Sequence, residues 1–291
     1  MNGILVMDKP AGWTSFDVIA KLRGILATRR IGHSGTLDPM ATGVLPVFVG
    51  PAARAVDMQT DHTKEYIAGV RFGLATDTGD ITGTVLRTSA EAVNEQQLLA
   101  VLPRFVGEQQ QLPPMYSAVK VDGRPLYQLA RKGQTVERTP RTITIHSLQL
   151  LQQTAENEFL LRIVCSKGSY VRVLLEDIGT ALHCPAAMCS LRRTRSGRYT
   201  LQQAVTLEQV QAAKENGSLP QLLAGVDTVF DALPAVQVGP AVEQRLKNGS
   251  PSRFRHADGR VRVYAADGGF LGVAAVQADT LTVEKLFIER D

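Results

Sequence analysis

The spacing of apolar residues along the first half of the chain predicts several short strands and two helices. Three runs are short and mainly apolar and are predicted to be strands. They lie at 3–7, 44–49 and 64–72. Apolar residues recur at helical spacing after Thr14 or Ser15, so one of these two residues is expected to cap a helix. The same spacing returns over 94–105 and predicts a second helix.

The mixed pattern continues through the middle of the chain. Two strand-like runs at 142–151 and 159–166 predict an antiparallel pair. An amphipathic helix is predicted over 171–182, and a further strand over 186–194. Strands and helices therefore mix without the regular alternation of a doubly wound sheet. We expect an α/β (α+β) fold in which helices flank a mixed β-sheet.

The pattern changes near Pro234, where short strand-like runs separated by glycine turns replace the longer elements. These runs predict a small β-rich domain over 234–291, which follows a large domain over 1–233. Within the large domain, 109–140 carries four prolines and predicts a long irregular loop with a short helix near 126–131. Long loops of this kind often bind partners.

Composition narrows the class of protein. The chain has 291 residues, of which 44% are hydrophobic, enough for a sizeable core without disulfide or metal staples. The three cysteines form no C-x-x-C array and the five histidines are scattered, so we expect reduced thiols and no metal site. No apolar run approaches the roughly 18–20 residues that span a bilayer. The run at 3–7 is too short for a signal peptide, and we expect a soluble, cytoplasmic protein without membrane contact.

Basic residues are concentrated in two stretches, although the net charge is only +4. Residues 120–141 hold six Lys or Arg against two acidic residues, and 162–198 hold seven against two. Phosphate backbones attract such patches because binding releases counterions. Solvated basic faces are also common, so the pattern by itself indicates an anionic partner and no more.

The segment 32–46 places a carboxylate, Asp38, on a loop rich in glycine and proline, directly before an apolar strand. Pro39 restricts the backbone of Asp38, and the glycines permit the close approach of a ligand or of another backbone. His33 is near in sequence and could face the same cavity. Because Asp before Pro often caps a turn, the residues alone leave both a chemical and a structural role open for Asp38.

Several motifs follow one another from residue 3 to about residue 198. They are Asp8-Lys9-Pro10, Gly32-His33-Ser34-Gly35-Thr36-Leu37-Asp38-Pro39, Lys64-x-Tyr66, Thr76-Asp77-Thr78-x-Asp80, Gln111-x-Pro113-Pro114-x-Tyr116-Ser117-Ala118-x-Lys120, Cys165-Ser166-Lys167-Gly168-x-Tyr170-x-Arg172 and Leu191-Arg192-Arg193-Thr194. In order and spacing they closely resemble the motifs of the TruB family of tRNA pseudouridine synthases. Ser34 and Ser169 stand where many members have threonine, which removes no group that the reaction needs.

The resemblance implies the pseudouridine synthase fold and an isomerase that acts on uridine 55 in the T-loop of tRNA. The enzyme would cleave the N-glycosidic bond of the flipped uridine and rejoin uracil through C5, and it would need no cofactor. Asp38 would be the essential carboxylate, acting as a nucleophile or as a stabiliser of positive charge. Attack at C1′, attack on the base and formation of a glycal all stay open.

The resemblance also assigns roles to other side chains around Asp38. Arg172 would pair with Asp38, although a solvated helix arginine is the structural alternative. Tyr66 would stack on the uracil and accept a proton in the last step. The remaining substrate-binding residues would be His33, which occupies the space left by the flipped base, and Tyr170 and Leu191, which form walls of the pocket. A plain core role is the alternative for Leu191.

RNA binding is expected from two further segments and from single basic residues. The segment 109–141 resembles an RNA-gripping insertion, and 234–291 stands where bacterial members carry a small PUA-like RNA-binding domain. The residues expected to contact the RNA backbone are Lys120, Arg131, Arg192 and Arg193. Lys9 would lie near the site or support the Asp38 loop, and support is favoured.

Three alternatives to a standalone tRNA enzyme follow from the same residues. A synthase of the dyskerin branch would act with a guide RNA, but its extra segments are not visible, so we expect no guide RNA and a monomer bound to the tRNA T-arm. A tRNA-folding chaperone would bind T-arms with little need for catalysis. A metal-dependent nuclease would need clustered carboxylates, and Asp77 and Asp80 are expected to be structural.

Overall fold

The computed structural model describes residues 1–121 and 123–289. Its strands are β1 (Gly3–Lys9), β2 (Ile31–His33), β3 (Thr42–Val49), β4 (Lys64–Phe72), β5 (Leu74–Thr76), β6 (Val85–Thr88), β7 (Gly107–Gln111), β8 (Lys120–Val121), β9 (Arg124–Pro125), β10 (Arg141–Ala155), β11 (Glu158–Cys165), β12 (Ala186–Ser196), β13 (Tyr199–Thr200), β14 (Ala235–Gln237), β15 (Ser252–Arg253), β16 (Gly259–Tyr264), β17 (Phe270–Gln277) and β18 (Thr280–Leu286). Its α-helices are α1 (Ser15–Leu26), α2 (Glu95–Val101), α3 (Leu126–Ala130), α4 (Val171–Ala181), α5 (Leu207–Glu215) and α6 (Pro240–Lys247). None of the helices in these two ranges is long and apolar enough to cross a membrane.

The described residues form one large mixed sheet, which confirms the predicted fold class. Along the sheet the strands follow the order β1-β3-β12-β4-β11-β10-β7, and β2 and β13 pair at its side with β3 and β12. β12 runs parallel to β3 and antiparallel to β4. β12 therefore joins the strand that follows the Asp38 loop to the strand that contains Tyr66.

The first helix is tied to the Asp38 loop at its N-terminus. Thr14 caps α1, since its side chain accepts a hydrogen bond from the Asp17 backbone N–H. The next residue, Ser15, is buried, and its Oγ accepts a hydrogen bond of 2.9 Å from the backbone N–H of Leu37. The apolar face of α1 packs against β1 and β3. The start of the helix therefore holds the residue that precedes Asp38.

Three structural elements were not predicted from the hydrophobic pattern. A 3₁₀ helix spans Gly50–Met58, β5 and β6 form a hairpin, and α5 packs against α1. All four residues of β6 are exposed, so the strand lacks the alternation that reveals a half-buried strand. The predicted short helix near 126–131 is confirmed by α3, and the predicted strand pair by β10 and β11.

A second sheet lies in the C-terminal part of the described chain. Its five strands follow the order β14-β16-β17-β18-β15. Val273 and Phe287 from this part pack in the same apolar cluster as Ile4 and Phe48 of the large sheet. The side-chain amide of Asn2 also donates to the Phe287 carbonyl at 2.5 Å. The division at residue 234 stays a prediction, because this core is shared across it.

Gly43 allows β3 and β12 to approach each other directly behind the Asp38 loop. It is paired with Arg193 across the two strands and has a φ of 101°. A Cβ at this position would overlap the Arg193 carbonyl oxygen and lie 2.9 Å from the Arg193 nitrogen. Both the left-handed backbone and the lack of space therefore require glycine here. The contact sets the distance between the loop and the sheet.

Gly43→Ala is expected to lower the free energy of unfolding by about 3 kcal/mol or more, because it combines overpacking against backbone with an unfavourable φ. Denaturant unfolding measures the change. Gly24→Ala is the matched control, since Gly24 is exposed on α1, nothing lies within 4 Å of its added methyl group, and alanine favours a helix. The control should gain roughly 0.5–1 kcal/mol. Equal stability of the two variants would contradict the close approach.

Candidate active site

Five segments of the chain enclose a cavity of about 360 Å³. Its walls are the Asp38 loop, the start of β4, Leu191 of β12, the N-terminus of α4 with the turn before it, and 117–119. Arg141, at the start of β10, also lines it. Binding pockets for small organic groups have volumes of about this size. The cavity can therefore hold a flipped nucleotide base.

Asp38 is held at the wall of this cavity by a two-point ion pair. Arg172 Nε donates to Asp38 Oδ2 at 2.9 Å, and Arg172 Nη2 donates to Asp38 Oδ1 at 3.2 Å. The Arg172 side chain is 5% exposed, whereas that of Asp38 is 34% exposed. A bidentate pair of this kind fixes the plane of the carboxylate. The carboxylate is thus held in one orientation, and it stays open to the cavity.

Two backbone carbonyls complete the hydrogen bonding of Arg172. Nη1 donates to the Thr78 oxygen at 2.7 Å, and Nη2 donates to the Tyr116 oxygen at 2.8 Å. The turn that presents Thr78 is stabilised by Asp80, whose carboxylate accepts hydrogen bonds from Thr78 Oγ1 and Thr82 Oγ1. Asp80 therefore has the structural role that was expected of it. Within 1–121 and 123–289, no cluster of His, Cys, Asp or Glu could hold a metal ion.

Tyr66 and Lys64 reach the cavity from the same face of β4. Tyr66 is 6% exposed, and burial raises the pKa of its hydroxyl while the nearby Arg193 guanidinium opposes that rise. Burial also lowers the pKa of Lys64, and the charge of Arg193 adds to the effect. Sequence analysis gave Lys64 no role of its own. Strand alternation was the available signal, since residues two apart share a face.

The two expected walls of the pocket, Tyr170 and Leu191, both line the cavity. Tyr170 precedes α4 and is held by Gln111, which had no predicted role. The Tyr170 backbone N–H donates to Gln111 Oε1 at 2.7 Å, and Gln111 Nε2 donates to the Tyr170 carbonyl at 3.1 Å. Leu191 lies on β12 and is 7% exposed. Their contact with a base stays a prediction.

His33 lies in β2, opposite Val47, and is not among the residues that line the cavity. Burial lowers the pKa of its imidazole, with a further contribution from the Arg193 charge. Both effects favour the neutral form of the ring. Its expected role in filling the space left by a flipped base stays a prediction.

The four basic residues expected on the RNA backbone differ in exposure. Lys120 and Arg131 are exposed, and the Arg192 side chain is 43% exposed, with an ion pair of 2.8 Å to Asp8. For these three residues the assignment stays a prediction. Arg193 is wholly buried, so the expectation that it contacts a phosphate is wrong. Neighbouring residues of a strand point to opposite faces, and Arg193 occupies the inner one.

Lys9 supports the Asp38 loop from below. It is wholly buried, and its Nζ donates to the carbonyls of Pro10 at 2.9 Å, Trp13 at 2.5 Å and Pro39 at 3.2 Å. Burial lowers the pKa of Lys9 from 10.5 to about 8, although the charge of Asp38 opposes the shift. Sequence analysis left open whether Lys9 lies near the site or supports the Asp38 loop, and these contacts favour support. Lys9 joins the start of α1 to the residue after Asp38.

Three family models match the chain in succession. Residues 23–171 match the TruB family pseudouridylate synthase, N-terminal domain. Residues 172–231 match the tRNA pseudouridylate synthase B C-terminal domain, and residues 234–287 match the pseudouridine synthase II TruB C-terminal model. The matches cover both the cavity and the C-terminal sheet.

Curated relatives are similar over almost the whole length. The tRNA pseudouridine synthase B of Ralstonia nicotianae is 44% identical over 296 residues, which covers 98% of this chain and 94% of the relative. That of Burkholderia mallei is 42% identical over 296 residues, with 99% and 97% coverage.

Solved structures show the same fold. A chain in a Cbf5-Nop10-Gar1 complex has a TM-score of 0.73 and 26% identity, covering 99% of this chain and 86% of that one. A chain in an H/ACA RNP bound to a substrate RNA containing 2′-deoxyuridine has a TM-score of 0.72 and 24% identity, with the same coverage. At this level of identity the likeness is one of fold.

Lys9→Met is expected to change how the free energy of unfolding depends on pH. Between pH values of about 8 and 10.5, folded Lys9 has lost its proton while unfolded Lys9 keeps it. The unfolded state therefore binds more protons, and the wild type gains stability as pH rises through this window. The difference between wild type and variant should rise by up to about 1.4 kcal/mol per pH unit there, and stay constant below about pH 7. Denaturant unfolding across the range measures it, and a difference independent of pH throughout would refute the assignment.

Proposed function

Because the chain belongs to the TruB family of pseudouridylate synthases, we propose that it converts uridine 55 in the T-loop of tRNA into pseudouridine. The observation that carries the proposal is the carboxylate of Asp38, fixed by Arg172 and open to a cavity of about 360 Å³. Identities of 42–44% to enzymes named tRNA pseudouridine synthase B support the same substrate. The enzyme is an isomerase, so no atom is gained or lost overall.

The reaction begins when the bond between C1′ and N1 breaks and its electron pair stays on the uracil. Positive charge then develops on the ribose, where a carboxylate stabilises it or forms a bond to C1′. After the uracil turns, C5 bonds to C1′, the carboxylate is released and C5 loses its proton, while N1 gains one. Arg172 has all its partners already in place, so the carboxylate needs no reorganisation as the charge appears.

The uracil is expected to lie between Tyr66 and the opposite cavity walls. An aromatic ring offers a flat, apolar face for a base at a small entropic cost. Tyr170 and Leu191 close the remaining sides, and Tyr66 is the candidate for taking the C5 proton. Walls of this kind tolerate rotation of the freed uracil, since stacking and apolar contact do not depend on one orientation of the ring.

The target uridine has to leave its stack in the T-arm before it can enter the cavity. Unstacking costs a few kcal/mol, which contacts to the flanking RNA must offset. His33 is proposed to occupy the vacated space. The contacts would come from Lys120, Arg131 and Arg192, together with the PUA-like part over 234–291.

We expect the protein to act as a monomer on the tRNA T-arm in the cytoplasm, without a guide RNA. The structural neighbours belong to H/ACA assemblies, but the curated relatives with the higher identity are named as tRNA enzymes. No cofactor enters the proposed reaction, because bond cleavage and rejoining balance without an oxidant or a group donor.

Asp38→Asn is expected to abolish pseudouridine formation while leaving tRNA binding intact, since it removes the charge but keeps the shape of the side chain. Unmodified tRNA transcripts are incubated with each protein, and pseudouridine is mapped at single-nucleotide resolution. Asp57→Asn is the matched control, because Asp57 is exposed on the 3₁₀ helix Gly50–Met58. If neither wild type nor control modifies the T-loop uridine although both bind tRNA, a chaperone becomes the better assignment.

Replacing Lys120 and Arg131 together by glutamine should weaken tRNA binding and make it less dependent on salt. Each lost phosphate contact is expected to lower the slope of log affinity against log salt by about 1. Binding is measured over a range of salt concentrations. Lys21→Gln serves as the control, since Lys21 is an exposed lysine of α1 to which no RNA contact is assigned. A loss of affinity with an unchanged slope would argue against phosphate contacts by these two residues.

A further inference from the structure

Arg193 is a buried cation to which the proposed reaction assigns no role. Its side chain is 0% exposed and is among the largest that are fully buried. It forms no salt bridge within residues 1–121 and 123–289. Burying a charged group without an opposite charge is expensive unless hydrogen bonds compensate for the lost water. The position therefore calls for a functional explanation.

Arg193 stands between the two strands that carry the reaction's side chains. On one side it pairs with Gly43 at the start of β3, and on the other it pairs with Tyr66 in β4. No side chain at Gly43 intervenes, so the β3 backbone lies directly against Arg193. One residue thus contacts both the base of the Asp38 loop and the strand of the proposed proton acceptor.

The guanidinium of Arg193 binds the Asp38 loop at both ends. Nε donates to the Val44 carbonyl at 2.6 Å, and Nη2 donates to the Gly35 carbonyl at 2.9 Å. Asp38 lies between these two points in the chain. The rigid fork of the guanidinium fixes the distance between the carbonyls, which a flexible ammonium group would not do.

The third nitrogen, Nη1, is buried and has no hydrogen-bond partner in the described part of the chain. A Cβ on Gly35 would lie 3.3 Å from it, so it sits directly behind the loop. The guanidinium also lies beside the Tyr66 hydroxyl, where its charge favours the ionised phenol. A buried donor that lacks an acceptor is costly in the resting protein. It becomes favourable when a negative charge develops next to it.

We propose that Arg193 is a positioning residue for the reaction, which holds the Asp38 loop in register with Tyr66 and stabilises negative charge on the Tyr66 oxygen. The inference rests on the proposed function, in which Tyr66 accepts the C5 proton. Tyr66 first gives its hydroxyl proton to N1 of the freed uracil, which has to gain one. The phenolate then takes the proton that C5 loses, and the phenol is restored. Arg193 touches neither the uracil nor the ribose and acts through these two neighbours.

Arg193→Met and Arg193→Gln test the proposal, with Arg193→Lys as the variant that keeps the charge. Arg71→Met and Arg71→Gln are matched controls, because Arg71 lies at the far end of β4 with a side chain that is 54% exposed. The rate of a single turnover at saturating tRNA is measured for each protein beside its tRNA dissociation constant. Thermal unfolding followed by circular dichroism confirms that each variant is folded.

Arg193→Met should lower the single-turnover rate by about 100-fold, the scale of loss that a small misplacement of reacting groups causes. Its tRNA dissociation constant should stay within about twofold of the wild-type value, because Arg193 does not reach the RNA. Arg193→Lys should retain more of the rate than Arg193→Gln, which is shorter and has no charge. In a Tyr66→Phe background the loss caused by Arg193→Met should shrink, since part of it acts through the missing hydroxyl.

A rate unchanged in Arg193→Gln, a loss confined to tRNA affinity, or a loss fully additive with Tyr66→Phe would overturn the proposal. If Arg193→Met does not fold, the comparison of Arg193→Lys with Arg193→Gln decides whether the charge of Arg193 or its volume matters.

A readout without RNA separates this inference from the proposed function. The ring signal of Tyr66 in NMR, assigned by its loss in Tyr66→Phe, should shift in Arg193→Gln and not in Arg71→Gln. If wild type leaves tRNA unmodified, the proposed function fails, and this signal still decides whether Arg193 acts on Tyr66.

Discussion

The ion pair of Asp38 and Arg172 joins segments that lie far apart in the sequence. Arg172 donates hydrogen bonds to the Asp38 carboxylate and to the carbonyls of Thr78 and Tyr116. One guanidinium therefore binds three different loops at the first turn of α4. Removal of any of these acceptors would leave a buried charge short of partners, which is among the costlier defects in a protein. The walls of the cavity are therefore held in place by the same group that aims the carboxylate.

The surroundings of Asp38 are rich in positive charge. Lys9 and Arg193 are wholly buried, Lys64 lines the cavity, and the charge of Asp38 acts on Lys9. Burial of cations disfavours their charged form, as the lowered pKa values of Lys9 and Lys64 show. The backbone carbonyls that Lys9 and Arg193 bind recover part of this cost. The positive charge of these residues therefore attracts an anionic polymer to the mouth of the cavity.

The elements with a strong apolar period could be predicted from the sequence, whereas the direction of individual side chains could not. β4 begins and ends at the predicted residues, and α1 has the predicted cap. β6 and α5 were missed, since β6 has no buried residue and α5 buries few. The pairing of Asp38 with Arg172 was expected from the family resemblance alone, because 134 residues separate the two.

Arg193 shows most clearly that the direction of a side chain could not be predicted from the sequence. Four arginines stand close together from residue 192 to residue 198, and their order gives no sign of which one points inward. The pairing of β12 with β4 is irregular between residues 193 and 195, so strict alternation does not carry through the cluster. Only the register with Gly43 and Tyr66 decides that Arg193 is the buried one.

The shared apolar cluster near the two ends of the described chain bears on how the protein is made. Ile4 and Phe48 emerge early from a ribosome, but Val273 and Phe287, which cover them, emerge some 230 residues after Phe48. Until then, one face of the first strands stays uncovered and exposed to unwanted association. The cell would have to shield that face during synthesis, and a message cut short before the last strand would yield a chain with an open core.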